Sequence, residues 1–262
     1  MAYADSAPDP WSSLRRHTAA RIALGRAGGS LPTREVLSFN LAHAAARDAV
    51  HGELDVESLE RSLASLGLPC VQLSSQAPDR LTYLQRPDLG RRLDNPSRAA
   101  LAAVPDRGSD VAIIIADGLS PPAARRQAPP LLERLLPALK TGGITVAPIA
   151  IVRQARVAIE DEIGSALGVR IAVIFIGERP GLGAATSLGA YLVHDPRIGR
   201  TDAERNCISN IRPDGMRPEH AADLLAYLIV ESLRLRISGV VLKDERSAIE
   251  NRILRPPDIA AI

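Results

Sequence analysis

The sequence predicts an α/β protein in which a mostly parallel sheet carries helices on both faces, with a helical region ahead of it. Three observations lead to this fold class. Apolar, β-branched runs recur after residue 110, helical segments separate them, and the residues before 107 have helical spacing of their apolar positions. Strands that alternate with helices in this way are typical of parallel sheets with right-handed crossovers. The 262 residues are therefore divided into a helical region with a connector, 1–107, and an α/β domain, 108–262.

The first of these two parts is predicted to contain several helices. A helical segment covers 11–24, Thr33 offers an N-cap for a helix that continues through Ala45, and residues 56–66 form a short amphipathic helix. The stretch 81–107 is rich in arginine and proline and is a poor core former. It is interpreted as a surface connector, or equally as an arm that lies on a partner.

The second part alternates strands and helices. A segment at 188–193 has a composition that suits either a helix or a short strand. The remaining elements follow from continuous apolar runs for strands and helical spacing for helices. The predicted strands are 111–116, 144–152, 171–176 and 238–243, and the predicted helices are 131–139, 160–167 and 218–235.

The candidate site lies in the loops that follow the predicted strands. Because parallel strands end at one edge of their sheet, the loops 117–120, 153–157, 177–183 and 243–245 should line one crevice there. Each of these loops is polar or contains glycine. For Asp117, a helix N-cap is the competing interpretation and the simpler one.

The loop 177–183 is the one around which the rest of the chain is organised. It follows the run 171–176, which has no polar face and is predicted to be buried on both sides. Three glycines and a proline give the loop a non-repetitive backbone that a ligand can approach closely. Glu178 and Arg179 place one charged pair at the same point. The loop is either part of a ligand site or a strand-to-helix connection with a solvated salt bridge.

A second polar stretch, 201–213, is dense in hydrogen-bonding side chains but does not resemble a charged surface helix. Asn206, Asn210 and Arg212 can bond to the amide and carbonyl groups of a large polar ligand. Cys207 lies among them. It is interpreted first as a small packing residue at a site and only distantly as a nucleophile, because the sequence places no base beside it.

Composition and motifs exclude several other classes. A net charge of +2, with arginines interspersed among acids, does not indicate nucleic-acid binding. No metal-ligand spacing or membrane-length apolar run occurs, and two distant cysteines with no secretory signal indicate a cytoplasmic protein. Residues 181–186 supply two glycines of the dinucleotide fingerprint but miss the third. We therefore expect a binding domain with no catalytic and no metal-ligating residues of its own.

These motifs, in fixed order over nearly the whole chain, resemble the ethanolamine ammonia-lyase small (light) subunit family. The matching residues include Asp9-Pro10-Trp11, Arg26-Ala27-Gly28, Ala116-Asp117-Gly118-Leu119-Ser120, Asp161-Glu162-Ile163-Gly164, Gly177-Glu178-Arg179-Pro180-Gly181-Leu182 and Asn206-Cys207-Ile208-Ser209-Asn210. The chain departs from the family's sequence pattern at Ala184-Ala185-Thr186. This departure alters the loop just after Glu178 and with it the expected geometry of that residue.

The resemblance implies both a fold and a function. It implies a Rossmann-like domain with an N-terminal helical part, in a subunit of an enzyme that converts ethanolamine to acetaldehyde and ammonia by radical chemistry started from adenosylcobalamin. A large (β/α)8-barrel subunit would hold the substrate, and this chain, inactive alone, would help bind the cobalamin at the interface. The implied corrinoid-contacting residues are Val157, Glu178 and Cys207. A hetero-oligomer of large and small subunits, in the cytoplasm or in a bacterial microcompartment, is the implied setting.

Two other functions stay open at this point. One is a non-enzymatic corrinoid or nucleotide carrier that acts without a barrel partner. The other is an independent NAD-dependent enzyme, against which the missing third glycine already counts. Stable cobalamin binding by the isolated chain would favour the first, and nicotinamide binding would favour the second.

Overall fold

The computed structural model describes residues 11–105 and 108–246, and it contains one six-stranded sheet. Predictions for residues 1–10 and for Arg107 lie outside these ranges. The strands are β1 (Cys70–Ser74), β2 (Val111–Ala116), β3 (Ile149–Arg153), β4 (Ile171–Gly177), β5 (Leu188–His194) and β6 (Arg205–Ile211). Their order across the sheet is β1-β3-β2-β4-β5-β6. The first four run parallel, whereas β5 is antiparallel to both β4 and β6. The predicted Rossmann-like, mostly parallel sheet is confirmed.

Helices cover both faces of this sheet, as predicted. One face packs against α2, α5 and α7, and the other against α4 and α6, so the core forms two separate apolar layers. The helices are α1 (Thr33–His51), α2 (Val56–Leu63), α3 (Arg80–Gln85), α4 (Asn95–Ala102), α5 (Pro121–Thr141), α6 (Ile159–Leu167) and α7 (Pro218–Leu235).

Strand β4 shows why a continuous apolar run predicts a central strand. Ile171, Val173 and Phe175 lie in the layer under α5 and α7, whereas Ala172, Ile174 and Ile176 lie in the layer under α6. Because successive strand residues point to opposite faces, a strand buried on both sides has no position for a polar residue. Every residue of β4 is buried.

The segment 188–193, predicted to be either a helix or a strand, is strand β5. Two predicted elements begin elsewhere, and one strand was not predicted. Helix α5 begins ten residues before the predicted start at Leu131, because Pro121 and Pro122 occupy its first turn, where a missing N–H costs no hydrogen bond. Strand β3 begins at Ile149 rather than at 144. Strand β1 was not predicted at all, although it pairs along its whole length with β3.

The interpretation of 81–107 as a surface connector is wrong. This stretch contains the end of α3, a 3-10 helix and α4, and its Tyr83, Leu93 and Leu101 are fully buried. Two of the arginines that suggested an exposed arm have carboxylate partners: Arg86 pairs with Asp88 at 2.7 Å, and Arg98 pairs with Glu162 of α6 at 2.6 Å. The few apolar residues therefore reach the core while the charges stay at its rim.

The predicted strand at 238–243 is also wrong, because residues 239–241 form a 3-10 helix. Gly239 has a φ of +78°, which does not suit an extended strand. The Asn206 side chain accepts from the Gly239 N–H and donates to the Gly239 and Leu242 carbonyls. These bonds replace the ladder that a seventh strand would have formed on β6.

The N-terminal helical region is confirmed for α1 but not for 11–24, where only residues 12–17 form a 3-10 helix. Helix α1 contributes little to the core, since Ala49 is its one buried residue. Large apolar side chains along 11–41 are exposed instead: Trp11, Leu14, Leu31, Val36, Leu37, Phe39 and Leu41.

Two glycines allow the loop after β2 to lie directly against the end of β4. The Leu119 N–H donates to the Gly177 carbonyl at 2.9 Å. A Cβ atom on Gly177 would lie 2.2 Å from the Ser120 oxygen and 2.5 Å from the Asp117 oxygen, both backbone atoms. Gly118, with a φ of +54°, faces the same contact. Gly177 thus serves the packing of two loops rather than the approach of a ligand.

We expect Gly177→Ala to lower the free energy of unfolding by about 3 kcal/mol, since a backbone-to-backbone clash forces the two loops apart. Gly181→Ala is the matched control: it lies in the same loop, has no atom within 4 Å of the added Cβ, and should change stability little. Urea unfolding of both full-length variants measures the difference. Equal stability of the two variants would contradict the assigned packing role.

Candidate functional site

Three of the four predicted loops emerge together at the carboxyl edge of the parallel strands. Those following β2, β3 and β4 do so because these strands are neighbours with one direction. The fourth, 243–245, follows no strand and does not join them. The first three loops and the adjoining ends of β5 and β6 therefore form the candidate site.

Asp117 is not a helix N-cap, since the N-cap of α5 is Ser120. Its carboxylate accepts from the backbone N–H groups of Gln154, at 2.8 Å, and Ala155, at 3.0 Å, and pairs with Arg80 at 3.4 Å. Burial raises the pKa of Asp117, while the Arg80 charge and the two N–H groups act in the opposite direction. This side chain fastens the loop after β3 to the end of β2.

The loop after β3 is held on its other side as well. The Tyr83 hydroxyl donates to the Ala155 carbonyl at 2.9 Å, and the Arg156 guanidinium lies over the Tyr83 ring at 4.2 Å. Both contacts come from the stretch once interpreted as a connector. As a result Val157, the next residue, is fixed at the start of α6, half-buried against the apolar layer beneath that helix.

The Glu178 carboxylate joins three strands at the open end of β4. Ser187, just before β5, donates its hydroxyl to one oxygen at 2.6 Å, and the Asn210 N–H of β6 donates to both oxygens at 3.2 and 3.3 Å. The Glu178 carboxylate therefore forms hydrogen bonds with these two groups and does not pair with Arg179, which is exposed. The structure therefore does not contain the solvated salt bridge between Glu178 and Arg179 that was one of the two interpretations of this loop.

A β-bulge brings the Asn210 N–H to Glu178. Between the pairs Leu188–Ile211 and Ala190–Ile208 the register shifts, and Asn210 takes a φ of +59°. Bulges of this kind turn backbone groups out of the ladder, often beside functional sites. Here the freed N–H points to the carboxylate. Neither the bulge nor the Ser187 contact could be read from residue types.

Cys207 lies opposite Tyr191 on the neighbouring strand, and the two side chains share a hydrogen bond. Withdrawal of the thiol from water, and then the charge of Glu178, raise the pKa of Cys207 above the usual thiol value, while the Tyr191 bond opposes this. The thiol is therefore protonated at neutral pH. His194, the histidine nearest in sequence, is three positions beyond Tyr191 and so points to the other face. Among the residues that the structure describes, no histidine is placed beside Cys207 to act as its base.

Val157, Glu178 and Cys207 thus border one face of the sheet. Tyr191 and Val157 pack on the same apolar layer, and Glu178 lies near enough to influence the pKa of both Tyr191 and Cys207. We call the surface formed by Val157, Glu178, Gly189, Tyr191 and Cys207 the corner ledge. Tyr191, at its centre, was not predicted. Its position within the apolar segment 188–193 was the available signal.

Three other polar residues of 201–213, Asn206, Asn210 and Arg212, have structural partners. Asn206 is used to hold the 239–242 segment, and the Asn210 side chain accepts from Arg212 at 2.7 Å. Among the described residues, no cluster of His, Cys, Asp or Glu side chains could hold a metal ion. No helix in the described ranges has the length and apolar character needed to cross a bilayer.

The divergent residues 184–186 leave the contacts of Glu178 intact. Ser120 donates its hydroxyl to the Ala185 carbonyl at 2.8 Å, and Gln127 donates to the Thr186 carbonyl at 3.4 Å. A two-residue turn, closed by backbone bonds between Gly181 and Ala184, comes just before Ala185. The backbone just before Ser187 is therefore held by α5 through carbonyl groups, which do not depend on the side chains at these positions.

Fold and ledge together define a Rossmann-like α/β protein with a candidate site at its sheet edge. A family model for the ethanolamine ammonia-lyase light chain matches residues 8–243, so the chain belongs to that family. A protein from Azotobacter vinelandii is 54% identical over 90% of this chain and 89% of its own length. One from Ralstonia nicotianae is 52% identical over 90% and 88%, and one from Rhodopseudomonas palustris is 50% identical over 88% and 89%. All three are named ethanolamine ammonia-lyase small subunit.

If the charge of Glu178 raises the pKa of Cys207, Glu178→Gln should lower that pKa. More thiolate would then be present at pH 7.5, and iodoacetamide should alkylate Cys207 about twofold faster. Peptide mass spectrometry separates Cys207 from Cys70, the other cysteine. Glu219→Gln, a charge change on an exposed turn of α7, is the control and should leave the rate unchanged. A slower reaction in the Glu178 variant would contradict the assigned electrostatics.

Proposed function

We propose that this chain is the small subunit of an adenosylcobalamin-dependent ethanolamine ammonia-lyase, and that its corner ledge holds the corrin ring at the interface with a large subunit. The observation that carries the proposal is the convergence of Val157, Glu178 and Cys207, from three separate segments, on one open sheet face. Membership of the light-chain family supplies the reaction, ethanolamine to acetaldehyde and ammonia.

The chemistry of the ledge suits a corrin. The ring is a broad apolar macrocycle with amide side chains at its edge, so it needs a flat packing surface with hydrogen-bond partners at the rim. Tyr191 and the protonated thiol of Cys207 offer soft, uncharged packing. The Glu178 carboxylate has lone pairs beyond those used by Ser187 and Asn210, and these can accept from an amide N–H.

The protein contributes binding and orientation. When bound, adenosylcobalamin supplies the radical chemistry, and the protein positions it. Glu178 is held by two donors before any ligand arrives, so its carboxylate loses little conformational freedom on binding. Val157 stands on a loop fixed by Asp117 and Tyr83, which limits its movement in the same way. The ledge is therefore built in advance of the ring.

The N-terminal region supports the proposed partner. Leu37, Phe39 and Leu41 are exposed on α1, a helix with one buried residue. Exposed apolar patches of this kind mark interaction sites. Arg21, from the same region, donates to the Leu182 carbonyl in the loop beside Glu178 at 3.4 Å. We infer that the large subunit covers α1 and the ledge as one continuous surface, as expected for a hetero-oligomer.

We expect ammonia release from ethanolamine only when this chain, a large subunit and adenosylcobalamin are combined. The measurement is an ammonia assay of each component alone and in every combination. Equal rates with and without this chain would contradict the role as an essential subunit. Stable cobalamin binding by the isolated chain, with no effect on the large subunit, would favour the carrier alternative.

We expect Glu178→Ala to weaken adenosylcobalamin binding about tenfold, the value of one lost hydrogen bond to a charged group. Assembly with the large subunit should be unaffected, since the exposed apolar side chains of α1 stay in place and the substitution changes one side chain of the ledge. Equilibrium dialysis gives cofactor affinity, and size-exclusion chromatography gives assembly. Glu219→Ala, on an exposed turn of α7, serves as the control. Unchanged affinity in the Glu178 variant would remove that residue from the site.

A further inference from the structure

A buried ion network ties the two sides of the corner ledge together. The Arg205 guanidinium donates to both carboxylate oxygens of Asp161, at 2.9 and 2.7 Å, and to Glu160 at 2.5 Å. All three side chains are at most 2% exposed. Exposed ion pairs contribute little, but breaking a fully buried pair leaves an uncompensated charge in the interior.

The positions of these residues in the chain show which parts of the corner ledge the network connects. Glu160 and Asp161 are in the first turn of α6, three and four residues after Val157. Arg205 begins β6, two residues before Cys207, and so points to the same face as Cys207. The network therefore joins the segment that bears Val157 to the strand that bears Cys207.

Apart from the network, β6 is attached to this face through β5 and, near its other end, through the bond from the Asn210 N–H to Glu178. The strand is at the edge of the sheet, and Val193 of β5 lies between Arg205 and the layer under α6. Helix α6 itself is packed closely on the sheet: a Cβ on Gly164 would lie 2.9 Å from the Ala172 Cβ. The Arg205 guanidinium therefore connects β6, which has one neighbouring strand, to α6, which is closely packed on the sheet.

The network is not optimised for stability alone. The Nε of Arg205 and the Oε2 of Glu160 are buried without a hydrogen-bond partner. Two carboxylates share one guanidinium, and burial raises the pKa of Glu160 well above its ordinary value, with the Asp161 charge adding to this. An apolar cluster of equal volume would stabilise the fold at least as well. What the ionic arrangement adds is a fixed geometry between two elements.

We propose that Arg205 is a positioning residue for the corrin site: by binding Asp161 in bidentate fashion, it sets the separation of Val157 and Cys207 across the ledge. This inference rests on the proposed function, since it assigns a role at the same ledge. Asp161 is the principal partner, because it takes two of the three bonds and Glu160 takes one.

The test compares Arg205→Lys and Asp161→Asn with two controls in the complex of this chain and the large subunit. Lysine in place of Arg205 keeps the positive charge but cannot form the bidentate pair. Asparagine in place of Asp161 removes one of the two oxygens that accept from Arg205. Glu160→Gln keeps an acceptor for the single bond and controls for disturbance of α6. Leu135→Ala, fully buried on the opposite face of the sheet, controls for loss of stability.

The first readout is the dissociation constant for adenosylcobalamin, measured by equilibrium dialysis. We expect an increase of about tenfold for Arg205→Lys and Asp161→Asn, the lower end for groups that orient primary ligands. Glu160→Gln should change it less than threefold, and Leu135→Ala not at all despite a comparable fall in Tm. The KM for the cofactor should rise with the dissociation constant, while kcat stays within about twofold.

The second readout needs no cofactor. Hydrogen exchange of the full-length chain should show faster exchange at 156–161 and 205–209 in Arg205→Lys and Asp161→Asn, and no change in β2. Affinity in either variant that falls no further than in Leu135→Ala would overturn the positioning role. If the wild-type complex neither binds adenosylcobalamin nor needs this chain for activity, the proposed function fails instead, whatever the exchange data show.

Discussion

The buried carboxylate of Asp117 is the constraint on which the sheet edge depends. Neighbouring strands β2 and β3 send their helices to opposite faces, α5 to one and α6 to the other, which leaves a gap at their carboxyl ends. In open α/β sheets a ligand commonly occupies that gap. Here Asp117 lies at that point, bonded to two backbone N–H groups and Arg80. The corner ledge is on the other side of β2, between β4 and β6.

The second consequence concerns the antiparallel strands. Because β5 and β6 extend the sheet without crossover helices, the face beyond α6 stays open and the corner ledge can exist. The edge strand must then be held by side chains, and two sets of contacts do this: Glu178 at one end and Arg205 at the other. The Glu178 carboxylate accepts from the β-bulge, and the Arg205 guanidinium bonds to α6. These contacts hold β6 in place, as covering helices hold the strands elsewhere in the fold.

The sequence predicted the parts of the fold that depend on local patterns. The run 171–176 and the helix at 218–235 were predictable because burial on both faces, or on one helical face, imposes its own periodicity. The stretch 81–107 was not, because its buried residues Tyr83, Leu93 and Leu101 are widely spaced among arginines and give no periodic signal. At the site, the sequence and the family resemblance pointed to Val157, Glu178 and Cys207, but Ser187, Tyr191 and the Asn210 N–H depend on strand register, which residue types alone do not specify.

The exposed apolar side chains of α1 also bear on the life of the subunit in the cell. A newly made chain presents Leu37, Phe39 and Leu41 to water. Until they are covered, such side chains promote aggregation and recognition by chaperones and proteases. Copies made in excess of their partner would therefore be removed, and the amount of this chain would follow the amount of the subunit that covers it.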